Sequence, residues 1–498
     1  MGLWANIRVA SGDRYGYKEI TARLALAGAR LCRRNYAREK IRKELKTMVE
    51  NTSGALTSNL LKEYKDKFCR NPLNRLALNA ATKTAFTELV MNREVLAGTD
   101  FTFSHIIKTG EATNQGGSGR CWMFAGLNTL RLRAMKKMNL ANFELSQSYS
   151  FFWDKLEKAN YFLENIIDTR DADIHDRVVM WLLYTLISDG GQWDMFANLI
   201  RRYGVVPKSV MPETYNSSNS YHMNYFISLK LHEDAMILRE MHAKGAKISA
   251  LRSRKEEMMA DIYKMLTIFF GEPPDKFLWQ YRDKKGKFHR EPKPMTPIEF
   301  YKKYVNMDLD EQMNLINCPT KDKLFNRMYT IQYLGNMIGG DIIRYLNVDI
   351  DTIKDLAVKA VSKGEATWFG CDVGKMLYRE GGIMDAKIYE PGRLLGTTFN
   401  MNKSQRVDYC ESLMTHAMVF TGVNLVNNKP TKWKVENSWG DKGGEKGFLV
   451  MSDDWFNEYL YQIVIPKKYL PPRLQKILKE KPIVLKPWDP MGAVAIMH

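Results

Sequence analysis

Long apolar runs are missing from this 498-residue chain. No segment approaches the ~18 to 20 uninterrupted apolar residues of a membrane helix, so we expect no membrane association. The opening residues also lack the 7 to 15 residue apolar core of a secretory signal described for such peptides. Apolar residues make up 45% and charged residues 26%, as in ordinary globular proteins. The length predicts one large elaborated domain or two to three units.

Paired cysteines are missing as well. The six cysteines lie far apart, and no two form a CxxC pair. This spacing argues against a disulfide framework and against a zinc site, and we expect neither a metal nor a cofactor. A reducing, cytoplasmic compartment fits best, with most thiols packed as small hydrophobic groups and one or two carrying chemistry. The cysteines are at positions 32, 69, 121, 318, 371 and 410.

Acidic residues are in short supply, with 56 Asp and Glu against 74 Lys and Arg, a formal net charge of +18. Such a surface attracts acidic peptides or nucleic acid over long distances. No aromatic RNA-binding signature, zinc-finger spacing or basic zipper accompanies it. A surface that is simply kept soluble and a weak nucleic-acid-binding surface are therefore both left open.

Residues 1–54 form a basic extension with few acids and only Ser11 before Ser53. Leu24, Leu26 and Leu31 among arginines suggest an amphipathic helix. The low acid content fits a mitochondrial transit segment, whereas the scarcity of serine does not. A mitochondrial address and a solvated basic arm both remain open for this segment.

The remaining sequence changes character along its length. Helix-like segments come first, and strand-like segments dominate beyond residue 365, which is the order of an α+β protein. Lys, Glu, Met and Leu enrich the middle, which predicts a mainly helical insertion. No internal repeat is visible. The predicted segments are 55–222 with the first helices, 223–345 as the insertion, 346–487 as the β-rich part and 488–498 as a C-terminal arm.

A glycine-rich turn, NQGGSG, precedes Cys121, and apolar residues at helical spacing follow it. This pattern predicts that Cys121 lies at a helix N-terminus. The helix dipole and unpaired N–H groups there lower the pKa of a thiol. The Cys121 N–H and the Gln115 side-chain amide could both donate to one substrate oxygen. We expect the basic residues of this helix on its opposite face and in its later turns: Arg131, Arg133, Lys136 and Lys137.

A thiol nucleophile needs a base, and His416 is the favoured histidine because it stands at the entry to an apolar, strand-like run. Asn437 follows Trp433 and Val435 in alternation, so it shares the inward face of a strand. Its amide oxygen could accept from the imidazole and fix the tautomer. Trp439 could shield that hydrogen bond from water.

Each of these residues also has an ordinary structural interpretation. Cys121 could be an inert buried thiol, His416 a satisfied core residue and the NSWG segment a capped turn. Cys410 is a competing nucleophile, but it lacks a glycine-rich approach. The joint presence of Gln115, Cys121, His416 and Asn437 in suitable local contexts favours thiol catalysis.

The segment NQGGSGRCWMFA resembles the nucleophile segment of papain-like cysteine peptidases, although Gly119 and Arg120 replace the usual residues before the cysteine. Further segments resemble the bleomycin hydrolase and aminopeptidase C group specifically, over residues 55 to 498. They are FELSQSYSFFWDKLEKANYFLE, DGGQWDMFANLIRRYGVVPKSVMPET, TWFGCDVGKM, MNKSQRVDYCESLMTHAM, VENSWG and WDPMGAVA.

The resemblance implies a papain-like fold with a helical left part, a β-barrel-like right part and a helical insertion used in assembly. It also implies a homohexameric ring whose active sites face an internal channel, and a cytosolic cysteine aminopeptidase that also hydrolyses the amide of bleomycin. Gln192, Trp193 and Asp194 are expected to line the substrate cleft.

In this family the C-terminal arm lies in the cleft and its carboxylate binds the substrate amine. Ala495 is the expected end of that arm, but Ile496, Met497 and His498 follow it here. Trimming to Ala495 and an untrimmed tail are both open. An arm that leaves the cleft open would give an endopeptidase. A basic nucleic-acid-associated assembly with a vestigial site is the alternative from another class.

Overall fold

The computed structural model of the chain describes residues 36–44 and 54–495, with side chains as far as residue 493. The chain forms two compact units, Met1–Leu89 and Val90–His498. Most of the predicted basic extension and residues 496–498 lie outside the described residues. No helix in the described ranges is long and apolar enough to cross a membrane.

The first unit contributes short helices to the described residues. Residues 36–44 form α1, followed by α2 (Ser58–Arg70), α3 (Pro72–Ala81) and α4 (Phe86–Leu89). Thr57 caps α2 by accepting from the Leu60 N–H, and Asn71 caps α3 ahead of a proline that suits the first helical turn. No side chain of α2, α3 or α4 is buried.

The second unit has its long helices in its first half. Helices α6, α7, α11 and α12 each exceed four turns, and α6 begins at Cys121, as the sequence predicts. A single π-helical turn, Tyr301–Val305, follows α13. The helices are α5 Arg93–Gly98, α6 Cys121–Met138, α7 Gln147–Asp168, α8 Arg177–Thr185, α9 Trp193–Tyr203, α10 Tyr215–Ser218, α11 Tyr221–Ala243, α12 Ile248–Phe270, α13 Pro297–Phe300, α14 Ile350–Ser362, α15 Pro391–Leu395, α16 Lys403–Asp408, α17 Asp453–Tyr459 and α18 Pro472–Ile477.

Most strands of this unit form one 12-stranded sheet in the order β14-β5-β6-β4-β13-β7-β10-β11-β12-β9-β8, with β1 also paired to β10. The pair β2 and β3 stands apart as a hairpin. The strands are β1 His105–Ile106, β2 Gln280–Arg282, β3 Phe288–Arg290, β4 Gln312–Ile316, β5 Arg327–Ile331, β6 Tyr345–Asn347, β7 Thr367–Cys371, β8 Leu377–Tyr378, β9 Ile383–Met384, β10 His416–Val426, β11 Lys429–Glu436, β12 Phe448–Ser452, β13 Leu460–Pro466 and β14 Ile483–Leu485.

Stacked aromatic rings form the core beside the centre of the sheet. Phe369 of β7 stacks on Phe420 of β10 with ring centroids 3.9 Å apart, and Phe420 lies 5.0 Å from Trp433 of β11. Trp433 in turn stacks on Phe456 of α17 at 4.8 Å. Such buried aromatic pairs stabilise beyond their area alone, so this stack holds the three central strands in register.

The nucleophile helix α6 packs against the same central strands. The Trp368 indole N–H of β7 donates to the Trp122 carbonyl at 3.0 Å, and Trp122 is fully buried. The first turn of α6 is therefore tied to the sheet by a hydrogen bond that water does not reach.

The middle of the chain differs in part from the sequence prediction. Helices α11 and α12 give the range 223–345 the helical character that was predicted for it. Strands β4, β5 and β6, however, belong to the large sheet, and β4 pairs with β13. These strands are only three to five residues long and lie in a Met- and Lys-rich segment. Pairing with distant strands, rather than local composition, determines their structure. The limits of the predicted segments themselves stay predictions.

A buried ion pair joins α6 to β11. Arg131 is 1% exposed and its guanidinium lies 2.5 Å from the Glu436 carboxylate, which is also buried. The expectation that Arg131 lies on the solvent side of α6 was therefore wrong, because an acidic partner on a distant strand satisfies its charge inside the protein. Arg131 also donates to the Glu111 carbonyl at 2.8 Å.

Removing one partner of this pair should destabilise the protein strongly. Burial already raises the pKa of Glu436 to about 7, so in Arg131→Met this carboxyl either stays charged without a counter-charge or takes up a proton. Loss of one partner of a buried pair costs about 3 to 5 kcal/mol. Thermal and urea unfolding of the variant should show this loss, and the double variant Arg131→Met/Glu436→Gln should recover much of it. Lys137→Met, at an exposed position of the same helix, is the control. Equal stability of Arg131→Met and Lys137→Met would contradict the assignment.

Candidate active site

The turn before Cys121 is shaped by glycines and by contacts with Ser218. Gly116 has a φ of +61°, and a Cβ there would lie 2.6 Å from the Ser218 carbonyl oxygen, so only glycine fits. The Gly117 N–H donates to the same carbonyl at 2.7 Å. The turn leads directly into α6, whose first backbone N–H groups surround Cys121.

Gln115 is fixed between this turn and the segment that follows β11. Its backbone N–H donates to the Ser438 carbonyl at 2.9 Å, and its Oε1 accepts from the Ser438 hydroxyl at 2.6 Å. One Nε2 hydrogen donates to the Ser118 carbonyl at 2.6 Å. An amide nitrogen has two hydrogens, so the geometry leaves Gln115 with a second donor.

His416 and Asn437 meet at the ends of neighbouring strands. His416 is the first residue of β10, and Asn437 follows the last residue of β11. The His416 Nε2 lies 2.9 Å from the Asn437 Oδ1, which also accepts from the Ser438 N–H at 2.8 Å. Because that oxygen faces donors, His416 carries its proton on Nε2 when neutral, and Nδ1 is the acceptor.

Cys121 lies beside the start of β10. The backbone N–H of Ala417, the residue after His416, points at the Cys121 sulfur. Cys121 is fully buried, His416 is 3% exposed and Asn437 is 2% exposed. The structure thus brings together the predicted nucleophile, base and orienting amide within one water-poor corner of the protein.

Trp439 covers the imidazole. The two rings of Trp439 and His416 lie 5.1 Å apart at an angle of 41°. The Arg379 guanidinium lies over the Trp439 ring, 4.1 Å from its centroid, in a cation–π contact. Trp439 also forms an isolated β-bridge with Asn114, next to Gln115. This indole therefore stands where the sequence places a shield for the His416–Asn437 bond.

Burial controls the ionisation of the nucleophile. It raises the pKa of the Cys121 thiol to about 12, while the N–H groups of Ala417, Trp122 and Cys121 itself lower it. A thiol with such a pKa is neutral at pH 7 on its own. A reactive thiolate then requires a base that takes the thiol proton, and His416, whose neighbour Ala417 contacts the sulfur, is the candidate.

A buried carboxylate that the sequence analysis did not single out anchors the nucleophile turn. Asp189 accepts from the Gly119 N–H at 2.9 Å, and its ion pair with Lys155 spans 2.6 Å. Ser220, the N-cap of α11, and Asn224 in its first turn also donate to Asp189, at 2.5 and 2.7 Å. Burial alone would raise the pKa of Asp189, but the Lys155 ammonium and these donors hold it well below its usual range.

Three residues predicted to line the cleft lie inside the protein. Gln192 is fully buried and Trp193 is 2% exposed, with its ring 5.4 Å from that of Phe196. Asp194 accepts from the Asn314 side chain at 2.8 Å, and burial raises its pKa to about 6. These residues cap and begin the strongly amphipathic helix α9, whose apolar face is turned inward. Cys121 is equally buried, so a place for them in the cleft lining stays a prediction.

The remaining predicted residues are placed as follows. Cys371 is fully buried in β7, as expected for most of the thiols. The next residue, Asp372, accepts from Ser412 and Thr415 before β10. Ala495 ends a short 3-10 turn, but its side chain lies outside the described residues. No group of three His, Cys, Asp or Glu side chains suited to a metal occurs within residues 36–44 and 54–493.

Comparison with known proteins agrees with a thiol peptidase fold. The family model described as "Peptidase C1-like family" matches residues 55–492. The chain is 46% identical over 444 residues to aminopeptidase C of Listeria innocua, covering 89% of this chain and 100% of that protein. It is 40% identical over 455 residues to the bleomycin hydrolase of Mus musculus, again covering 89% and 100%.

A solved structure shows the same fold. The crystal structure of PepW from Lactobacillus rhamnosis is 48% identical and superposes with a TM-score of 0.87, covering 89% of this chain and 100% of that one. The fold is thus that of papain-like cysteine peptidases, with mixed helix and strand content. Within that class, the chain belongs to the peptidase C1-like family that includes aminopeptidase C and bleomycin hydrolase.

The coupling of thiol and imidazole has a measurable consequence. His416→Ala should slow iodoacetamide labelling of Cys121 at pH 7, because the raised pKa of the thiol then leaves it protonated. Its labelling rate should rise about tenfold per pH unit up to at least pH 10, as thiolate chemistry requires. Peptide mass spectrometry follows the rate, with the exposed Cys410 as internal control. Unchanged labelling at pH 7 would contradict the coupling.

Asp189 should act as a positioning residue. Asp189→Asn removes the charge that holds the Gly119 N–H and leaves Lys155 without its partner. We expect kcat to fall about tenfold or more with a much smaller change in KM, since misplaced donors cost mainly transition-state stabilisation. Asp234→Asn, another buried carboxylate, is the matched control. Equal kcat in both variants, measured per active-site thiol, would refute this role.

Proposed function

We propose that this protein is a cysteine-type aminopeptidase of the bleomycin-hydrolase group, with Cys121 as its nucleophile. The observation that carries the proposal is the His416–Asn437 hydrogen bond of 2.9 Å beside a cysteine at the start of a helix. Membership of the peptidase C1-like family supports it. The relatives named aminopeptidase C and bleomycin hydrolase support both the exopeptidase action and hydrolysis of bleomycin-like amides.

In the first half of the reaction, the thiol proton passes to His416 Nδ1 and the sulfur attacks the first peptide carbonyl carbon. The carbonyl oxygen becomes an oxyanion that accepts from the Cys121 N–H and from the second hydrogen of Gln115 Nε2. Asn437 keeps the imidazole in the tautomer that accepts at Nδ1. His416 then protonates the departing amine, and a thioester remains on Cys121.

In the second half, the shortened peptide leaves and a water takes its place. His416 accepts a proton from this water, which attacks the thioester carbonyl. Collapse of the second oxyanion breaks the C–S bond, and the thiolate recovers its proton from His416. Trp439 limits the access of other water to the imidazole throughout.

The C-terminal arm supports exopeptidase action. The ring of Trp488 lies under the Arg177 guanidinium at 3.7 Å, and Asp489 forms an ion pair with Lys323 at 3.2 Å. Met491 is 2% exposed. An arm fastened at these points can present a carboxylate near Ala495 to the substrate amine, and the family's use of its arm suggests this role here.

Several features of the proposal follow from the family resemblance. We propose a homohexamer whose active sites face an internal channel, assembled in part through the helical insertion, in the cytoplasm. The division into a helical left part and a barrel-like right part has the same basis. A mitochondrial address in residues 1–54 stays a prediction, since most of these residues lie outside the described structure.

Free and N-acetylated peptides test the exopeptidase assignment. Release of the first residue from a free peptide should be rapid, whereas the N-acetylated peptide should be cleaved at least about a hundredfold more slowly, because the arm requires a charged amine. Cys121→Ala should be inactive on both peptides. Rapid internal cleavage of the blocked peptide would instead identify an endopeptidase.

Intact-mass measurement tests trimming of the tail. If the enzyme processes itself, purified wild-type protein should end at or near Ala495, while Cys121→Ala protein should retain Ile496, Met497 and His498. If the arm reaches its own active site, as the family resemblance implies, removal of these residues would expose the carboxylate that the exopeptidase needs. Identical full-length C-termini in both proteins would exclude self-processing.

A further inference from the structure

Two adjoining surface pockets that share part of their lining form a groove, and its near part lies beside the sequence neighbours of Gln115 and Trp439. Its near part is lined by Asn114, which forms a β-bridge with Trp439, and by Gly440, the residue after Trp439. Its far part is lined by four lysines. The two parts share Thr109, Gly110, Ala141 and Phe448. We call the far part the four-lysine groove, after Lys108, Lys136, Lys284 and Lys434.

The four lysines lack acidic partners. Within residues 36–44 and 54–493, none of them forms an ion pair shorter than 4 Å. Lys434 instead holds its ammonium 4.6 Å from the Phe448 ring. The acids lining the groove, Glu111 and Asp441, belong to its near part, and Glu111 accepts from the Asn142 amide at 3.0 Å. The far part therefore presents concentrated positive charge to an incoming chain.

The groove begins on the side where a substrate's leaving group must lie. His416 protonates the departing amine, so the peptide beyond the scissile bond extends from the imidazole side of Cys121. Trp439 covers that side, and the groove starts at the Asn114–Trp439 bridge. The part of the substrate that follows its first residue is therefore directed into this groove.

Helix geometry gives the distance from Cys121 to Lys136. Lys136 lies on α6, 136 − 121 = 15 residues after Cys121. At ~1.5 Å per residue this separation is about 22 Å along the helix axis. An extended peptide advances ~3.3 to 3.6 Å per residue and covers it in about six or seven residues. Leu132, also in the lining, is reached about two residues earlier.

We infer that the four-lysine groove is a distal substrate subsite that selects acidic residues about five to seven positions beyond the scissile bond. This inference rests on the proposed aminopeptidase function and names its preferred peptide class. Each catalytic cycle removes one residue, so an acidic segment moves closer to the active site. After a few cycles it no longer contacts the four-lysine groove. The subsite would thereby favour longer peptides and slow the enzyme as they shorten.

The lining favours a polypeptide over a nucleic acid. Leu132 and Leu140 lie among the lysines, are half-buried and offer apolar contacts to peptide side chains. The aromatic residue of the lining, Phe448, is 9% exposed and has little free face for stacking a base.

Two ten-residue peptides with free N-termini test the inference. They share one neutral sequence and differ only in Glu or Gln at positions 6 to 8, and release of the first residue is measured. We expect a kcat/KM about threefold to tenfold higher for the Glu peptide, mainly through KM, as a few exposed ion pairs would give. The preference should shrink between 0.05 and 0.3 M salt as the Debye length falls.

Matched variants assign the preference to the groove. The Glu to Gln ratio should fall to about one in Lys108→Gln/Lys136→Gln/Lys284→Gln/Lys434→Gln protein. It should persist in Lys321→Gln/Lys363→Gln/Lys476→Gln/Lys479→Gln protein, which loses the same charge at exposed positions elsewhere. In wild-type protein, moving the three Glu residues to positions 2 to 4 should remove the advantage without any change to the enzyme.

The outcomes separate this inference from the proposed function. Failure of wild-type protein to hydrolyse a short aminoacyl fluorophore would overturn the function itself. Hydrolysis of that fluorophore with equal rates on the Glu and Gln peptides would overturn only the subsite. A ratio of Glu-peptide to Gln-peptide rates that is unchanged in the groove variant would also overturn the subsite. Loss of single-stranded oligonucleotide binding in the groove variant, without any Glu preference in wild type, would assign the groove to nucleic acid and overturn the inference.

Discussion

The antiparallel pairing of β10 with β11 sets the position of the catalytic groups. In the observed register Val419 faces Glu436 and Phe420 faces Val435, which brings the start of β10 beside the residue that follows β11. His416 and Asn437 meet only in this register. A slip of one residue would turn Asn437 to the opposite face and expose Trp433, whose ring belongs to the aromatic stack. Packing of the core thus enforces the geometry of the site.

Buried charges bind the nucleophile helix to that sheet. The Arg131–Glu436 pair links α6 to β11 one residue before Asn437, and Asp189 fastens the turn before Cys121. Burying a charge is costly unless it is paired and hydrogen-bonded, and both carboxylates have such partners. The net stabilisation from these two ion pairs is small, but any arrangement that separates the partners would leave a buried charge unpaired. These pairs therefore specify one relative position of Cys121, His416 and Gln115.

Local patterns point to the candidate catalytic residues because each lies in a strong local context. The glycine-rich turn before Cys121 and the apolar run after His416 are visible within a dozen residues. Alternation placed Trp433, Val435 and Asn437 on one buried face, and all three are buried. Composition predicted a mainly helical segment over residues 223–345, and α11 and α12 lie within or overlap that range.

Contacts between distant segments account for what the sequence did not reveal. Glu436 alternates with buried residues, so the sequence pattern places it on the solvent face of β11. In the structure it is buried and forms an ion pair with Arg131, which lies 305 residues earlier in the chain. From the sequence, Asp189 is an ordinary loop residue. Only the folded structure brings Lys155 and the Gly119 N–H into contact with its carboxylate. The family resemblance placed Gln192 and Trp193 in the cleft, but in α9 and its N-cap their side chains are buried. No short-range pattern encodes these partners.

The central claim is that hydrolysis passes through a thioester on Cys121, and acid quenching during turnover tests it most directly. Protein mixed with an excess of an aminoacyl ester and quenched within milliseconds to seconds should carry one acyl group, and peptide mapping should place it on Cys121. The adduct should disappear as the substrate is consumed. Turnover with the acyl group on Cys410, or with no acyl group on Cys121 at any time, would contradict the account.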